Sequence, residues 1–286
     1  KSEFLDPLIS GEIRSCFGMT EPQRPGSNPT WLDTRAVRDG DDYVINGNKW
    51  FTSAADGASI CVVMAVTDPE AENKYEQASM FVVPVDNPGF EVVRNIPVMG
   101  DVGEGYMSHG ETRLTDCRIS ATNIIGKEGE GFILAQERLG PGRIHHCMRW
   151  IGICERAVAL MCARASSREL NPNKFLSEKQ TIQNWISESA AKIYGARLMV
   201  LDCAKKIEAH QTKGARKEIS MIKFHVADIL MNVLDKAIQA HGALGMTEHT
   251  PLSFWYRHER GSRIYDGADE VHKSLVAKSI LKDYLD

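Results

Sequence analysis

The residues with chemical potential are few and scattered. The segment Ile264-Tyr265-Asp266-Gly267 sets a carboxylate between an aromatic hydroxyl and a glycine, and Asp269 and Glu270 follow closely. A carboxylate in partly apolar surroundings is a candidate general base, because burial disfavours its charged form and raises its proton affinity. Taken alone, Asp266-Gly267 is also an ordinary turn pair, and Asp269 and Glu270 suit the first turn or cap of a helix. His145, His146 and Cys147 are consecutive, but helical neighbours point about 100° apart and do not readily share a metal. The seven cysteines (Cys16, Cys61, Cys117, Cys147, Cys154, Cys162 and Cys203) contain no Cys-x-x-Cys spacing. They read as free, mostly buried thiols of a reducing compartment. Gly126, Gly129 and Gly131 lack the strand–GxGxxG–helix setting of a dinucleotide loop and read as a connector.

The elements that must position these groups change character near residue 125. Before it the chain reads as short strands and turns. Asp39-Gly40-Asp41-Asp42 precedes Tyr43-Val44-Ile45-Asn46, and Gly47-Asn48 precedes Trp50-Phe51-Thr52, a turn–strand–turn–strand pattern. Residues 60–66 and 80–85 are apolar and rich in β-branched side chains, Asn87-Pro88-Gly89 is a turn, and residues 110–119 alternate. Five or more strands without intervening helices predict a small antiparallel barrel or sandwich. After residue 125 the period is helical. Cys147, Ile151, Cys154, Val158 and Met161 form one stripe, Trp185, Ile186, Ala190, Ile193, Ala196 and Val200 a second over residues 176–209, and Ile222, Val226, Ile229, Val233 and Ile238 a third over residues 219–241. A fourth helix follows Asp269, predicting an antiparallel four-helix bundle. The expected fold class is α+β. Residues 1–14 read as the tail of a preceding helical domain, 15–125 as the barrel or sandwich, and 126–286 as the bundle.

Composition narrows the partners. With 43% hydrophobic and 25% charged residues and a net charge of −4, the chain is ordinary for a globular protein and gives no electrostatic reason to expect nucleic acid. Its longest apolar runs are too short to span a bilayer. No secretory signal or Arg-rich leader is visible at the start, which reads as lying inside a domain.

Four short motifs, in order along nearly the whole chain, carry a resemblance to the acyl-CoA dehydrogenase family. Phe17-Gly18-Met19-Thr20-Glu21-Pro22 resembles that family's flavin-binding turn, and Asn48-Lys49-Trp50-Phe51-Thr52-Ser53 its second flavin motif. Residues 239–247, Gln-Ala-His-Gly-Ala-Leu-Gly-Met-Thr, resemble a helix end that reaches the flavin pyrophosphate of a neighbouring subunit, and Ile264-Tyr265-Asp266-Gly267 resembles the segment bearing the base. Residues 140–147, Gly-Pro-Gly-Arg-Ile-His-His-Cys, are similar to a branch that includes large animal members fused to a kinase-like domain and stand-alone bacterial members. That branch carries Asp where the commoner pattern has Glu.

The resemblance implies FAD-dependent α,β-dehydrogenation of an acyl-CoA thioester, with Asp266 as the base and its backbone N–H polarising the thioester carbonyl. The pKa of the carboxyl is expected to be raised by desolvation. For the cofactor the resemblance assigns Phe17, Met19, Thr20, Trp50, Thr52, Arg168, Gln180, Gln239, Gly242 and Ala268. Trp50 would supply an aromatic wall, whereas without the motif it reads as a strand core residue. For substrate it assigns Ser27, Arg143, Tyr265 and Gly267. Some members carry the base one residue before an Arg that opens the first bundle helix; here that Arg matches Arg143, and its predecessor, Gly142, has no side chain. Glu169 aligns with a family Arg that contacts FAD phosphate, with Arg168 adjacent, and a carboxylate there would repel a pyrophosphate. The resemblance further implies a homodimer or homotetramer, an electron-transfer flavoprotein as acceptor, and a location in the cytoplasm of a bacterium or in a mitochondrion or peroxisome. The family's N-terminal helical domain is not matched. A non-catalytic subunit of the same fold and an acyl-CoA oxidase are the alternatives.

Overall fold

The computed structural model describes residues 3–285, which fall into two compact units divided between residues 136 and 137. The first opens with a short helix, α1 (Leu5–Ser10), followed by strands β1 (Ser15–Gly18), β2 (Arg35–Asp39), β3 (Asp42–Ser53), β4 (Ile60–Val66), β5 (Ala78–Pro84), β6 (Phe90–Asn95), β7 (His109–Ser120) and β8 (Ile124–Ile125). They form one sheet in the order β6-β7-β3-β2-β4-β5-β8, with β1 beside β4.

The small antiparallel barrel or sandwich expected from the strand pattern describes this unit only loosely. The sheet is open and mixed, because β1 and β2 both run parallel to β4. Strand β4 shows why its sequence is a continuous apolar run. Cys61, Val63 and Ala65 enter a core with Tyr43, Ile45, Phe81 and Leu114, while Met64 and Val66 enter a second core with Leu32, Ala78 and Met80. A strand buried on both faces has no polar alternation to display.

A second correction concerns β3. Gly47-Asn48 does not turn the chain; residues 42–53 are one strand paired with β7. A side chain at Gly47 would lie 2.7 Å from the Thr34 Cα, so glycine here permits close backbone approach. The ladder shifts register between Lys49 and Thr52, and Phe51 adopts a left-handed φ of 50°. This bulge re-aims the segment that carries Trp50.

The second unit contains most of α2 (Gly131–Ser167), then a hairpin of β9 (Glu169–Asn171) and β10 (Lys174–Phe175), α3 (Gln180–Gly214), α4 (Arg216–His241), α5 (Leu252–Glu259) and α6 (Asp269–Leu281). Its core gathers Trp150, Ile151, Met161, Ile193, Val200, Ile222, Val226, Leu230, Leu234 and Leu252. The expected helical stripes are buried or packed partly buried against this core, except that Ala190 is exposed and Ser189 is buried in its turn of α3.

Helix α2 starts well before Arg143 and runs through Pro141. The resemblance put Arg143 at the opening of the first bundle helix; it sits inside that helix instead. Helix α5 was not anticipated; eight residues that bury Leu252 and Trp255 are too few to display a period. No helix among the described residues is long and apolar enough to cross a membrane.

Candidate active site

In the first unit, two segments distant in sequence are locked together by one buried ion pair. Lys49 on β3 is fully buried, and its Nζ donates to the Met19 carbonyl at 3.0 Å and to Glu21 Oε1 at 2.8 Å. The same carboxylate accepts from the Asp33 N–H at 2.6 Å and the Thr34 N–H at 2.9 Å. Burial would raise the Glu21 carboxyl, but the charge and hydrogen bond of Lys49 outweigh it and hold it low; burial pulls the Lys49 ammonium down. Beside this pair the Trp50 N–H donates to the Thr20 carbonyl at 3.0 Å. The turn at residues 17–21 and the bulge at Trp50-Phe51 are thus one structure.

In the second unit, the loop carrying Asp266 is held by its carbonyls from three helices. Asp266 and Gly267 have successive left-handed φ values of 54° and 98°. The Asp266 carbonyl accepts from Arg143 Nε of α2 at 2.9 Å and faces His272 Nε2 of α6 at 3.1 Å. The Gly267 carbonyl accepts from Lys223 Nζ of α4 at 2.8 Å, and the same ammonium donates to the Ser262 carbonyl at 2.6 Å. Gly267 is required twice over, by its φ and because a Cβ would stand 2.7 Å from His272 Nε2.

The environment fixes several protonation states. His272 is buried and its pKa is pushed down to about 4, by desolvation first and then by Arg143. It is neutral, and a carbonyl partner requires the proton on Nε2, leaving Nδ1 to accept from Ser220 Oγ at 3.1 Å. Lys223 is lowered to about 8, chiefly by burial. Tyr265 is pushed up by burial and the nearby Glu259 charge. Its hydroxyl accepts from Arg149 Nη2 at 3.2 Å, and Arg149 also grips Glu259, which takes the Trp150 indole N–H at 3.0 Å.

Asp266 itself departs from expectation. Burial does push its carboxyl up, but His146, whose Nε2 lies 3.2 Å from Oδ2, together with Arg143 and Arg138 outweighs burial and holds it below the ordinary carboxylate value. At neutral pH Asp266 carries an ionised carboxylate. Among the described residues, its backbone N–H has no acceptor.

Residues 16–117 match the acyl-CoA dehydrogenase middle domain, and residues 129–281 match the acyl-CoA dehydrogenase C-terminal domain. The chain belongs to the acyl-CoA dehydrogenase family.

Acyl-CoA dehydrogenase family member 11 of Gallus gallus is 41% identical over 285 residues, which are 99% of this chain and 37% of that protein. FadE2 of Mycobacterium tuberculosis is 44% identical over 283 residues, 98% of this chain and 69% of that protein. This chain therefore spans little more than a third of the first relative's length and about two thirds of the second's. An acyl-CoA dehydrogenase from Geobacillus kaustophilus superposes with a TM-score of 0.89 at 30% identity, covering 98% of this chain and 72% of that one. Butyryl-CoA dehydrogenase from Megasphaera elsdenii gives 0.88 at 28%, covering 98% and 71%.

Acyl-CoA dehydrogenases are FAD flavoproteins, and the first unit has features that fit the group. Trp50 is half-buried, and its indole N–H is shielded from water without a partner among the described residues, as a polar atom awaiting a ligand would be. Met19 and Thr20 line a small open hollow with Arg24, Gly26 and Trp31. Phe17 packs half-buried under this turn. Thr52 is fully buried, with its hydroxyl 3.4 Å from that of Thr112.

The remaining assigned residues fall differently. Tyr265, Asp266, Gly267, Arg143 and Ala268, the N-cap of α6, are one cluster. Ser27, Arg168, Gln180, Gln239 and Gly242 are exposed and join neither group. Glu169 is exposed too, so no buried charge stands at that position. Asp269 lies in the first turn of α6, as its sequence position suggested, and is buried and paired with Arg263 at 2.7 Å. Lys223, His272, His146 and the Glu21–Lys49 pair were not assigned roles from sequence. A lysine beside Ile222 on the apolar face of α4 was the available signal for the first of these.

Proposed function

We propose that the protein containing this chain dehydrogenates an acyl-CoA thioester at its α and β carbons, with FAD as cofactor and Asp266 as base. The observation that carries this reading is the pinned loop: an ionised carboxylate on a backbone held at two successive carbonyls, with its own amide unpaired. The carboxylate takes the α-proton. The Asp266 N–H donates to the thioester oxygen, where negative charge builds as that proton leaves. FAD, when bound, supplies the acceptor for the β-hydride. Arg143 and Lys223 hold the loop that presents both groups. Trp50, Met19 and Thr20 would hold the flavin ring, and the exposed Arg168, Gln180, Gln239 and Gly242 are available to a second subunit of a homodimer or homotetramer. An electron-transfer flavoprotein would re-oxidise the flavin.

The test is an anaerobic absorbance spectrum of the purified full-length flavoprotein with a panel of acyl-CoA thioesters. One of them should bleach the flavin band. Asp266→Asn should keep flavin and fold but not bleach, while Asp266→Glu should retain part of the rate. Bleaching of the Asn variant at near wild-type rate would remove Asp266 as the base.

A further inference from the structure

We propose that His146 is the positioning partner of Asp266, presenting Nε2 to the carboxylate from a fixed aromatic shelf, an inference that rests on the reading of Asp266 as the base. Arg143, His146 and Trp150 fall at helical spacings of three and four on α2, so they share one face. The division of labour on that face is visible. Arg143 Nε goes to the Asp266 backbone carbonyl, as does His272 from α6, and Lys223 from α4 takes the next carbonyl. These fix the peptide planes and leave the orientation of the carboxylate undetermined. His146 meets the carboxylate itself, with Nε2 3.2 Å from Oδ2.

The imidazole is not loose. It stacks on Trp150 at 5.7 Å and 18°, and packs against Tyr265 at 5.2 Å and 56°. Trp150 is fully buried and its N–H is held by Glu259 at 3.0 Å, so the shelf is rigid. Tyr265 is tied to the same Glu259 through Arg149. A ring held on both sides delivers its nitrogen to one place, which is how a short carboxylate is kept in a productive orientation. The other charged or titratable groups around Asp266 are Arg138 and Arg143 on α2, Lys223 on α4, Tyr265 beside it and His272 on α6. Of these, His146 is the largest influence holding the carboxyl down against burial. Removing it should therefore raise the carboxyl's titration midpoint, whether the ring acts as a cation or as a neutral N–H donor.

Three variants separate the contact from the packing. His146→Phe keeps a flat ring for Trp150 and loses the nitrogen; His146→Asn withdraws the nitrogen from reach; His146→Gln returns an N–H to about the position of Nε2. The readouts are the Asp266 carboxyl titration, isolated by subtracting the spectrum of Asp266→Asn in carbon-13 NMR, and the pH profile of flavin reduction. Phe and Asn should raise the midpoint by about one pH unit or more, with the acid limb of the profile moving alongside, and Gln should restore much of it. If Phe does not fold, Asn carries the same comparison. An unmoved midpoint in the folded variants, even with a slower reaction, would make His146 a packing residue and overturn the proposal. A moved midpoint with an active Asp266→Asn enzyme would uphold the pair and refute Asp266 as the base.

Discussion

Replacing Lys223 by Met removes the ammonium that α4 sends to the Asp266 loop, and the effect can be worked through. Lys223 is fully buried and donates to the Ser262 and Gly267 carbonyls. Hydrogen bonds from a charged donor contribute about 1.5–3 kcal/mol each, so losing both removes about 3–6 kcal/mol. Against this stands the cost of burying the charge. A fall from the ordinary 10.5 to about 8 corresponds to about 3 kcal/mol at about 1.4 kcal/mol per pH unit. Near neutral pH the two offset in part, and the Met variant should be about 0–3 kcal/mol less stable. The pH dependence is the sharper test. The folded-state pKa is depressed, so between about pH 8 and 10.5 the unfolded chain binds the proton and the folded chain does not. Wild-type stability contributed by this group then rises with pH, while the Met variant has no such contribution. The gap between the two should therefore widen by about 3 kcal/mol across that window. Urea unfolding followed by helical circular dichroism at several pH values measures it. A gap that stays flat would refute the picture of a strained, buried ammonium.

Two further outcomes follow from other buried groups. His272 has a folded pKa lowered to about 4, so as pH falls from about 6.5 through 4 the unfolded chain takes the proton first and stability declines, by about 3 kcal/mol in all; His272→Gln should flatten that acid limb in urea titrations. Glu21→Ala leaves the Lys49 ammonium buried without its counter-charge and should cost about 3–5 kcal/mol, read as a lower urea midpoint for the first unit, together with faster FAD release from the flavoprotein.

Much of the architecture was legible because burial imposes a period. The apolar run of β4 and the stripe from Cys147 to Met161 on α2 each reported how many faces of the element are covered. What misled was local punctuation. Gly47-Asn48 has the composition of a turn, yet the glycine serves a close approach to Thr34, the residue before β2. At the site, the segment bearing Asp266 was legible as a motif. Its electrostatics were not, because the groups that lower the carboxyl lie on α2, more than a hundred residues away in sequence. Lys223 and His272 escaped notice for a related reason. Their partners are backbone carbonyls, and no residue type marks a carbonyl that needs a donor.

The backbone at Asp266 also bears on why this chain carries Asp where the commoner family pattern has Glu. Asp266 sits at φ 54°, a region that Asp tolerates through its short polar side chain and that other non-glycine residues enter at about 1–2 kcal/mol. Two successive left-handed residues form a sharp reversal that would not persist unaided. Here Arg143 and His272 fix the peptide plane after Asp266, and Lys223 fixes the plane after Gly267. The surrounding helices over-determine the strained conformation, as is common where strain serves a site. The same restraint sets the direction from which the carboxylate leaves the backbone. A residue one methylene longer on this backbone would carry its carboxylate past the position where His146 now meets Oδ2. The short Asp266 side chain, the left-handed loop and the histidine beside it are therefore one arrangement, and lengthening that side chain alone would unsettle the other two.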